Sequence, residues 1–384
     1  MSTDRRQFIR MTAAAGGALS LGLTPASAAA TMSTHARPQQ VQSPRAIRLL
    51  ILGGTGFIGP YQVRYAVERG HEVTIFNRGS NPDLFPGVEE LTGDRSQPGG
   101  LDALRGRTWD AVIDNSAAAG PTAPQWVRES ATLLRESAEQ YLFVSTRSVF
   151  ADLTQVPATV DSPVLTLENS GWTEGRPYSY GLGKALAEKE AMGIFGDRAT
   201  IVRPGLIVGP DDTTDRFTYW PARIHRGGEI LAPGNPMVDR IQVIDVRDLC
   251  EWIVRLCENR TYGRYMGVGP ENGRSISEML YGIAAIVDTP LSWTWVPFEF
   301  LREHNVRPYQ EMPVWRPPTP GLEGFARFDL SREVASGLTF RTLADTARAT
   351  LDYHFTRDPD RRRPGLTAER EAEVLAAWHA TRPG

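Results

Sequence analysis

Two side chains in Tyr178-Ser179-Tyr180-Gly181-Leu182-Gly183-Lys184 have the types and the spacing for proton transfer. Tyr180 and Lys184 stand four apart, so a helix would stack them on one face. An ammonium near a phenol favours the phenolate, drawing its pKa from ~10 toward the working pH. Such a phenol can exchange a proton with a substrate hydroxyl or carbonyl. Tyr178 lacks the partner, because Leu182 stands four residues on. Upstream, Ser145, Thr146 and Ser148 place hydroxyls at the end of the apolar run Tyr141-Leu142-Phe143-Val144.

A glycine run far upstream says what such a pair would work with. Ile47-Arg48-Leu49-Leu50-Ile51-Leu52 reads as a buried parallel strand, stops at glycines, and leads into the helical spacing of Tyr61 to Val67. Gly53, Gly56 and Gly59 stand three apart. The first permits a tight turn, the second a close approach of backbone to a pyrophosphate, and the third helix packing on strand. Free amides and the dipole at the helix start, around Phe57 and Ile58, would hold the phosphates. A second strand follows at Glu72-Val73-Thr74-Ile75-Phe76. This is the pattern of a dinucleotide site, where a Tyr–Lys pair can move a proton while hydride passes to or from nicotinamide.

The residues after the second strand bear on which dinucleotide is bound. An Asp or Glu there would accept bonds from the adenosine 2′-hydroxyl and repel a 2′-phosphate. This chain has Asn77-Arg78 instead, whose guanidinium could pair with that phosphate. The expectation leans to NADP, with NAD the alternative and an ordinary exposed loop arginine the plainer account of Arg78. Asp94, after the third strand, can meet the adenine amino group.

These residues need a frame to hold them. Beyond the glycine run, strands are expected at Trp109–Ile113, Tyr141–Ser145 and Ala199–Val202, with helices at Gln125–Ala138 and Tyr180–Met192. That alternation argues for an α/β fold, a Rossmann-type doubly wound parallel sheet. From Gly205 the pattern turns irregular, and a smaller C-terminal substrate-binding lobe is expected over the strand ends. The expected division is 46–204 for the dinucleotide-binding domain with 236–260 returning to it, 205–235 and 261–356 for the lobe, and 357–384 for a charged C-terminal helix.

Three ordered motifs carry a family resemblance: Gly53-Gly54-Thr55-Gly56-Phe57-Ile58-Gly59, Tyr180-Gly181-Leu182-Gly183-Lys184 and Arg203-Pro204-Gly205-Leu206-Ile207-Val208-Gly209-Pro210. Together they resemble the extended short-chain dehydrogenase/reductase family, in its NAD-dependent epimerase/dehydratase branch. The resemblance implies a Ser/Thr–Tyr–Lys triad. Matching on Val149 places Thr146 at the catalytic hydroxyl, on the substrate oxygen, and Ser145 just before it beside the cofactor. Tyr180 would be the acid/base, and Lys184 would also bind the nicotinamide ribose. Three features depart from the family pattern. Asn77 replaces the acidic residue usual in NAD-binding members. Phe150-Ala151-Asp152 replaces Tyr-Gly, ahead of a long stretch to Tyr180. The segment Asp211 to Trp220 does not resemble a nucleotide-sugar clamp. Arg216, Tyr219 and Trp220 could touch substrate, or the segment could be a packed loop. Trp293, Trp295, Phe298, Phe300 and Trp315 could line a substrate pocket, but a core is the expectation.

At 384 residues, 41% hydrophobic and 23% charged, the chain can bury a sizeable core. A net charge of -3 gives no case for nucleic acid. A small-molecule substrate is the expected partner, and a homodimer is left open. The six histidines lack ligand spacing, so no metal is expected. Cys250 and Cys257, two turns apart on one expected helix, would stand roughly 10 Å apart, too far for a disulfide. Arg5-Arg6-Gln7-Phe8-Ile9-Arg10, a mild apolar run to Leu23 and Pro25-Ala26-Ser27-Ala28-Ala29-Ala30 read as a signal peptide over residues 1–30, followed by a polar leader over 31–45. It resembles a twin-arginine signal, which exports folded protein, and no lipid or membrane anchor is expected. An exported dehydrogenase meets no pool of fresh dinucleotide, so the cofactor is expected to stay bound and be regenerated in each cycle. The alternative is a non-catalytic dinucleotide-binding module for regulation or RNA.

Overall fold

Leu49, Leu50, Ile51 and Leu52 form an unbroken apolar run, and the strand they build is covered on both faces. In the computed structural model, which describes residues 45–117, 120–358 and 364–381, this strand lies inside a sheet of seven. In chain order the strands are β1 (Arg48–Leu52), β2 (Glu72–Asn77), β3 (Glu89–Thr92), β4 (Trp109–Asp114), β5 (Ala138–Val144), β6 (Ala199–Pro204), β7 (Leu206–Val208), β8 (Gly228–Pro233), β9 (Arg240–Ile241), β10 (Val243–Asp245), β11 (Gly263–Gly267), β12 (Arg274–Ser275) and β13 (Leu291–Val296). The large sheet runs β11-β6-β5-β4-β1-β2-β3, parallel throughout. The order reverses between β1 and β4, the crevice where such sheets bind ligands.

Alternation along β1 sorts its side chains to the two faces. Leu49 and Ile51 join Val63 and Ala66 of α1 (Gly59–Glu68) and Leu249, Trp252 and Ile253 of α5 (Val246–Glu258). Leu50 and Leu52 join Val127 and Ala131 of α2 (Ala123–Leu134) and Ala187, Ala191 and Phe195 of α3 (Tyr180–Phe195). Each such fully buried Leu or Ile contributes about 1.5–3 kcal/mol. The sheet is the doubly wound α/β fold expected from the strand–helix alternation.

A third apolar cluster belongs to the C-terminal half. It gathers Trp220 and Ile224 of α4 (Tyr219–Arg226), Met279, Leu280 and Ile283 of α6 (Ile276–Ala284), Val296 of β13, and Trp315. The parallel pair β8–β13 and the antiparallel pair β9–β12 lie in this half. After α7 (Leu343–Phe355), the tail forms α8 (Ala368–Ala380), capped by Thr367. Glu371 of α8 is buried and accepts from Arg223 Nε at 2.6 Å and from Leu231 N at 3.1 Å. The sheet extends past the boundary expected at 260, because Gly263–Gly267 pairs with β6 as its seventh strand. Two glycines bound that short strand and hid its apolar centre, Tyr265-Met266.

Cys250 and Cys257 are free and buried on α5. No helix among the described residues is long and apolar enough to cross a membrane. The expected signal peptide, and all but Arg45 of the polar leader, lie outside the described residues.

Candidate active site

The turn after β1 is built around its glycines. Gly53 takes φ 84°, a left-handed value that favours glycine, and a Cβ there would lie 3.1 Å from Ser116 Cβ. A Cβ on Gly59 would lie 2.6 Å from Gly53 O, so only glycine lets α1 start so close to the loop. Gly56 faces open space, with nothing within 4 Å of an added Cβ. The first turn of α1 has no side-chain cap and no acidic residue, which leaves its amides free. Gly53, Gly56, Phe57, Ile58 and Gly59 thus sit together at the switch point. This cradle suits a pyrophosphate.

Beside it a cavity of about 500 Å³ is lined by Gly53, Gly56, Asn77, Arg78, Asp94 and Trp126, among others. Asn77 is buried; its Oδ1 accepts from Gly79 N at 2.6 Å, and its Nδ2 has no partner among the described residues. A buried donor without an acceptor points to an acceptor supplied by a ligand. Arg78 is exposed and has no hydrogen-bond or ion-pair partner among the described residues. Backbone and hydroxyl hydrogen bonds from Ser96, with a smaller contribution from Arg78, hold the Asp94 carboxyl below the usual carboxylate range. The residues of this cavity fit the adenosine end of a dinucleotide with donors, not with the carboxylate that NAD-selective sites use on the ribose.

The residues expected to transfer protons lie beyond the ends of β4 and β5. Ser179 caps α3, accepting from Leu182 N, and so fixes Tyr180 and Lys184 in its first two turns. Three glycines seat this helix start. A Cβ on Gly181 would collide with Ser148 O, one on Gly183 with Gly120 O, and one on Gly120 with the Tyr180 Cα. The first turn of α3 is therefore pressed between the loop after β4 and the Thr146–Val149 turn after β5. Tyr180 stays 49% exposed, open to a substrate. Lys184 is buried; Nζ donates to Val144 O at 2.7 Å and to Ala117 O at 3.0 Å and lies 4.2 Å from the Phe143 ring centroid. Its third hydrogen has no acceptor among the described residues. Burial pulls the ammonium down to about 8, against Asp114 and Glu188, which hold it up. Thr146 is buried, with Oγ1 accepting from Ser148 N at 3.2 Å, which leaves its proton to donate.

The Ser145 hydroxyl donates to Glu188 Oε1 at 2.5 Å. Neighbours in an extended chain face opposite ways, so this hydroxyl and that of Thr146 point apart. Glu188 is held by Arg203, whose Nε and Nη2 reach it at 3.0 and 2.6 Å. The segment after Pro210 also divides. Trp220 is fully buried, with Nε1 donating to Pro313 O at 2.7 Å, and Tyr219 packs edge-on against it, so both belong to the lobe core. Arg216 remains half-exposed.

Several residues at the site escaped the sequence reading. Asp114, at the end of β4, accepts from Arg95 Nη1 at 3.0 Å and from the Tyr141 hydroxyl at 2.6 Å. Burial alone would raise its carboxyl; Arg95, Tyr141 and Ser116 outweigh that and hold it below the usual range. Arg95 also meets Ser116, Trp126 O and Ser130, so it ties the cavity beside the glycine turn to the strand that carries Asp114. The available signal was a charge inside an apolar strand. Among the described residues, no group of His, Cys, Asp and Glu could hold a metal ion.

Fold and site together define a dinucleotide-binding α/β protein with hydroxyl, phenol and ammonium groups at one end of its sheet. A model of the NAD dependent epimerase/dehydratase family matches residues 49–269, more than half of the chain, and the protein belongs to that family. A 2-alkyl-3-oxoalkanoate reductase of Stenotrophomonas maltophilia is 32% identical over 43% of this chain. That match spans about half, 52%, of the reductase's length. A UDP-N-acetyl-alpha-D-glucosaminuronate decarboxylase of Bacillus cytotoxicus is 26% identical over 73% of this chain and 92% of its own. Both relatives are named as enzymes. The Bordetella bronchiseptica enzyme WbmG, solved in complex with NAD, superposes with a TM-score of 0.57 at 18% identity, covering 82% of this chain and 96% of that one.

Proposed function

We propose that the protein is an NAD(P)-dependent oxidoreductase of the epimerase/dehydratase type, acting at a hydroxyl- or carbonyl-bearing carbon of a small molecule and preferring NADP. The observation that carries this reading is the seating of Tyr180 and Lys184 on the first turns of α3, against the Thr146–Val149 turn after β5 and Gly120 in the loop after β4. When bound, the dinucleotide supplies hydride transfer at the substrate carbon. Thr146 donates a hydrogen bond to the substrate oxygen. Tyr180, open to solvent, takes the proton of that oxygen or returns it. Lys184 offers its remaining hydrogen to the nicotinamide ribose. The preference for NADP rests on the partnerless Asn77 Nδ2 and on Arg78.

The reading extends to the leader. A folded export substrate would carry its dinucleotide with it, and the same Tyr–Lys pair serves hydride removal and return, as in epimerisation through a transient keto species. The test is twofold. Purified mature protein is denatured and released dinucleotide is assayed, and near-stoichiometric cofactor is expected. A panel of hydroxy and keto compounds is then followed by nicotinamide absorbance in the parent and in Tyr180→Phe. Turnover lost in the variant supports the enzyme; equal turnover in both overturns the role of Tyr180.

A further inference from the structure

Four arginines are buried among the described residues, and three of them face a carboxylate: Arg95 meets Asp114, Arg203 meets Glu188 and Arg223 meets Glu371. The fourth is Arg147, which directly follows Thr146. Its guanidinium donates to Phe325 O at 3.2 Å and to the Tyr309 hydroxyl at 3.1 Å, and lies 3.8 Å from the Phe325 ring centroid. These partners are neutral, and no carboxylate among the described residues pairs with it. Arg316, exposed and equally without a carboxylate, lies 5.0 Å from the centroid of the same ring. Arg216 adds a third positive charge whose field reaches Arg147; the acid in Arg216's own reach is Asp212. Burial pulls the Arg147 guanidinium below its ordinary pKa, and Arg316 and Arg216 add to this while Tyr309 opposes it.

A buried charge without a counter-ion is costly, and proteins normally pair it. Arg147 stands one residue from the hydroxyl assigned to the substrate oxygen, and Gly205, just past the end of β6, packs close to it: a Cβ there would lie 3.5 Å from Nη1 and 2.8 Å from Val268 Cγ1. A guanidinium fork suits a planar or tetrahedral oxyanion. We propose that Arg147 and Arg316, gathered on Phe325 with Tyr309, form an anion-recognition site, and that the substrate carries a carboxylate or phosphate group near the carbon served by Tyr180. This rests on the assignment of Thr146 to the substrate oxygen.

The test is thermal unfolding of the full chain, with and without saturating NADP, titrated with malonate or inorganic phosphate at constant ionic strength. Saturated dinucleotide keeps the anions off the glycine cradle. Malonate or phosphate should raise the melting temperature saturably while neutral malonamide does not. Exposed Arg316→Gln should weaken the apparent affinity at least tenfold, and Arg147→Lys, which keeps the charge and loses the fork, should weaken it as well. The tighter of the two anions identifies the substrate's acid group. No response beyond that of sodium chloride, or one unchanged in both variants, overturns the site. If NADP fails to bind while the anion response still depends on Arg316, the dinucleotide assignment falls and the anion site stands.

Discussion

Lys184 offers the most quantitative handle on the site. It is buried, and burial brings its pKa down to about 8 from 10.5. The unfolded chain therefore binds more protons than the folded one between these two values, and stability must rise with pH across that window. Below pH 8 both states hold the proton, and the folded state carries the full cost of the buried ammonium. Going from pH 7.5 to 9.5, the linkage relation gives a relief of about 2 kcal/mol. Lys184→Met removes the titrating group, at the expense of leaving Val144 O and Ala117 O unpaired at every pH. The assay is urea unfolding by tryptophan fluorescence at both pH values for parent and variant. Between the two pH values the parent should gain about 2 kcal/mol relative to Lys184→Met. Parallel pH dependences in the two proteins would refute the burial argument.

Three further outcomes are expected. Arg78→Ala should lose about tenfold in NADP affinity with little change toward NAD, and Asn77→Asp should reverse the preference, both read by dinucleotide titration. Gly183→Ala, whose methyl would collide with Gly120 O, should lower the melting temperature and cut turnover through displacement of Tyr180, whereas Ala at Gly193, where a Cβ meets nothing within 4 Å, should be harmless. Thr146→Ala should reduce kcat about 10–100-fold, the range for one charge-assisted hydrogen bond. Ser145→Ala should change kcat far less, because that hydroxyl serves Glu188.

The parts of the site legible in the sequence are those set by local spacing. The glycine triplet, the Tyr180–Lys184 interval and the strand–helix alternation each depend on neighbours within a few residues, and each is found in the fold. What escaped depends on long-range approach. Gly120 matters only because α3 comes to rest on it, 60 residues later in the chain. The setting of Arg147 depends on Tyr309 and Phe325, which close over it from more than 160 residues away in the chain. Ser145 and Thr146 were separable in principle, since extended neighbours point apart, but which one faces inward depends on where β5 ends. The seventh strand was lost because its flanking glycines shortened the apolar run.

The most direct test of the account is a crystal structure of the protein with its dinucleotide bound. It should place the pyrophosphate on the amides around Gly56, with Lys184 Nζ donating to the nicotinamide ribose. Thr146 Oγ1 and the Tyr180 hydroxyl should face the same side of the nicotinamide ring. A dinucleotide bound elsewhere, or one whose nicotinamide lies beyond the reach of Tyr180 with Lys184 still bonded only to Val144 O and Ala117 O, would contradict it.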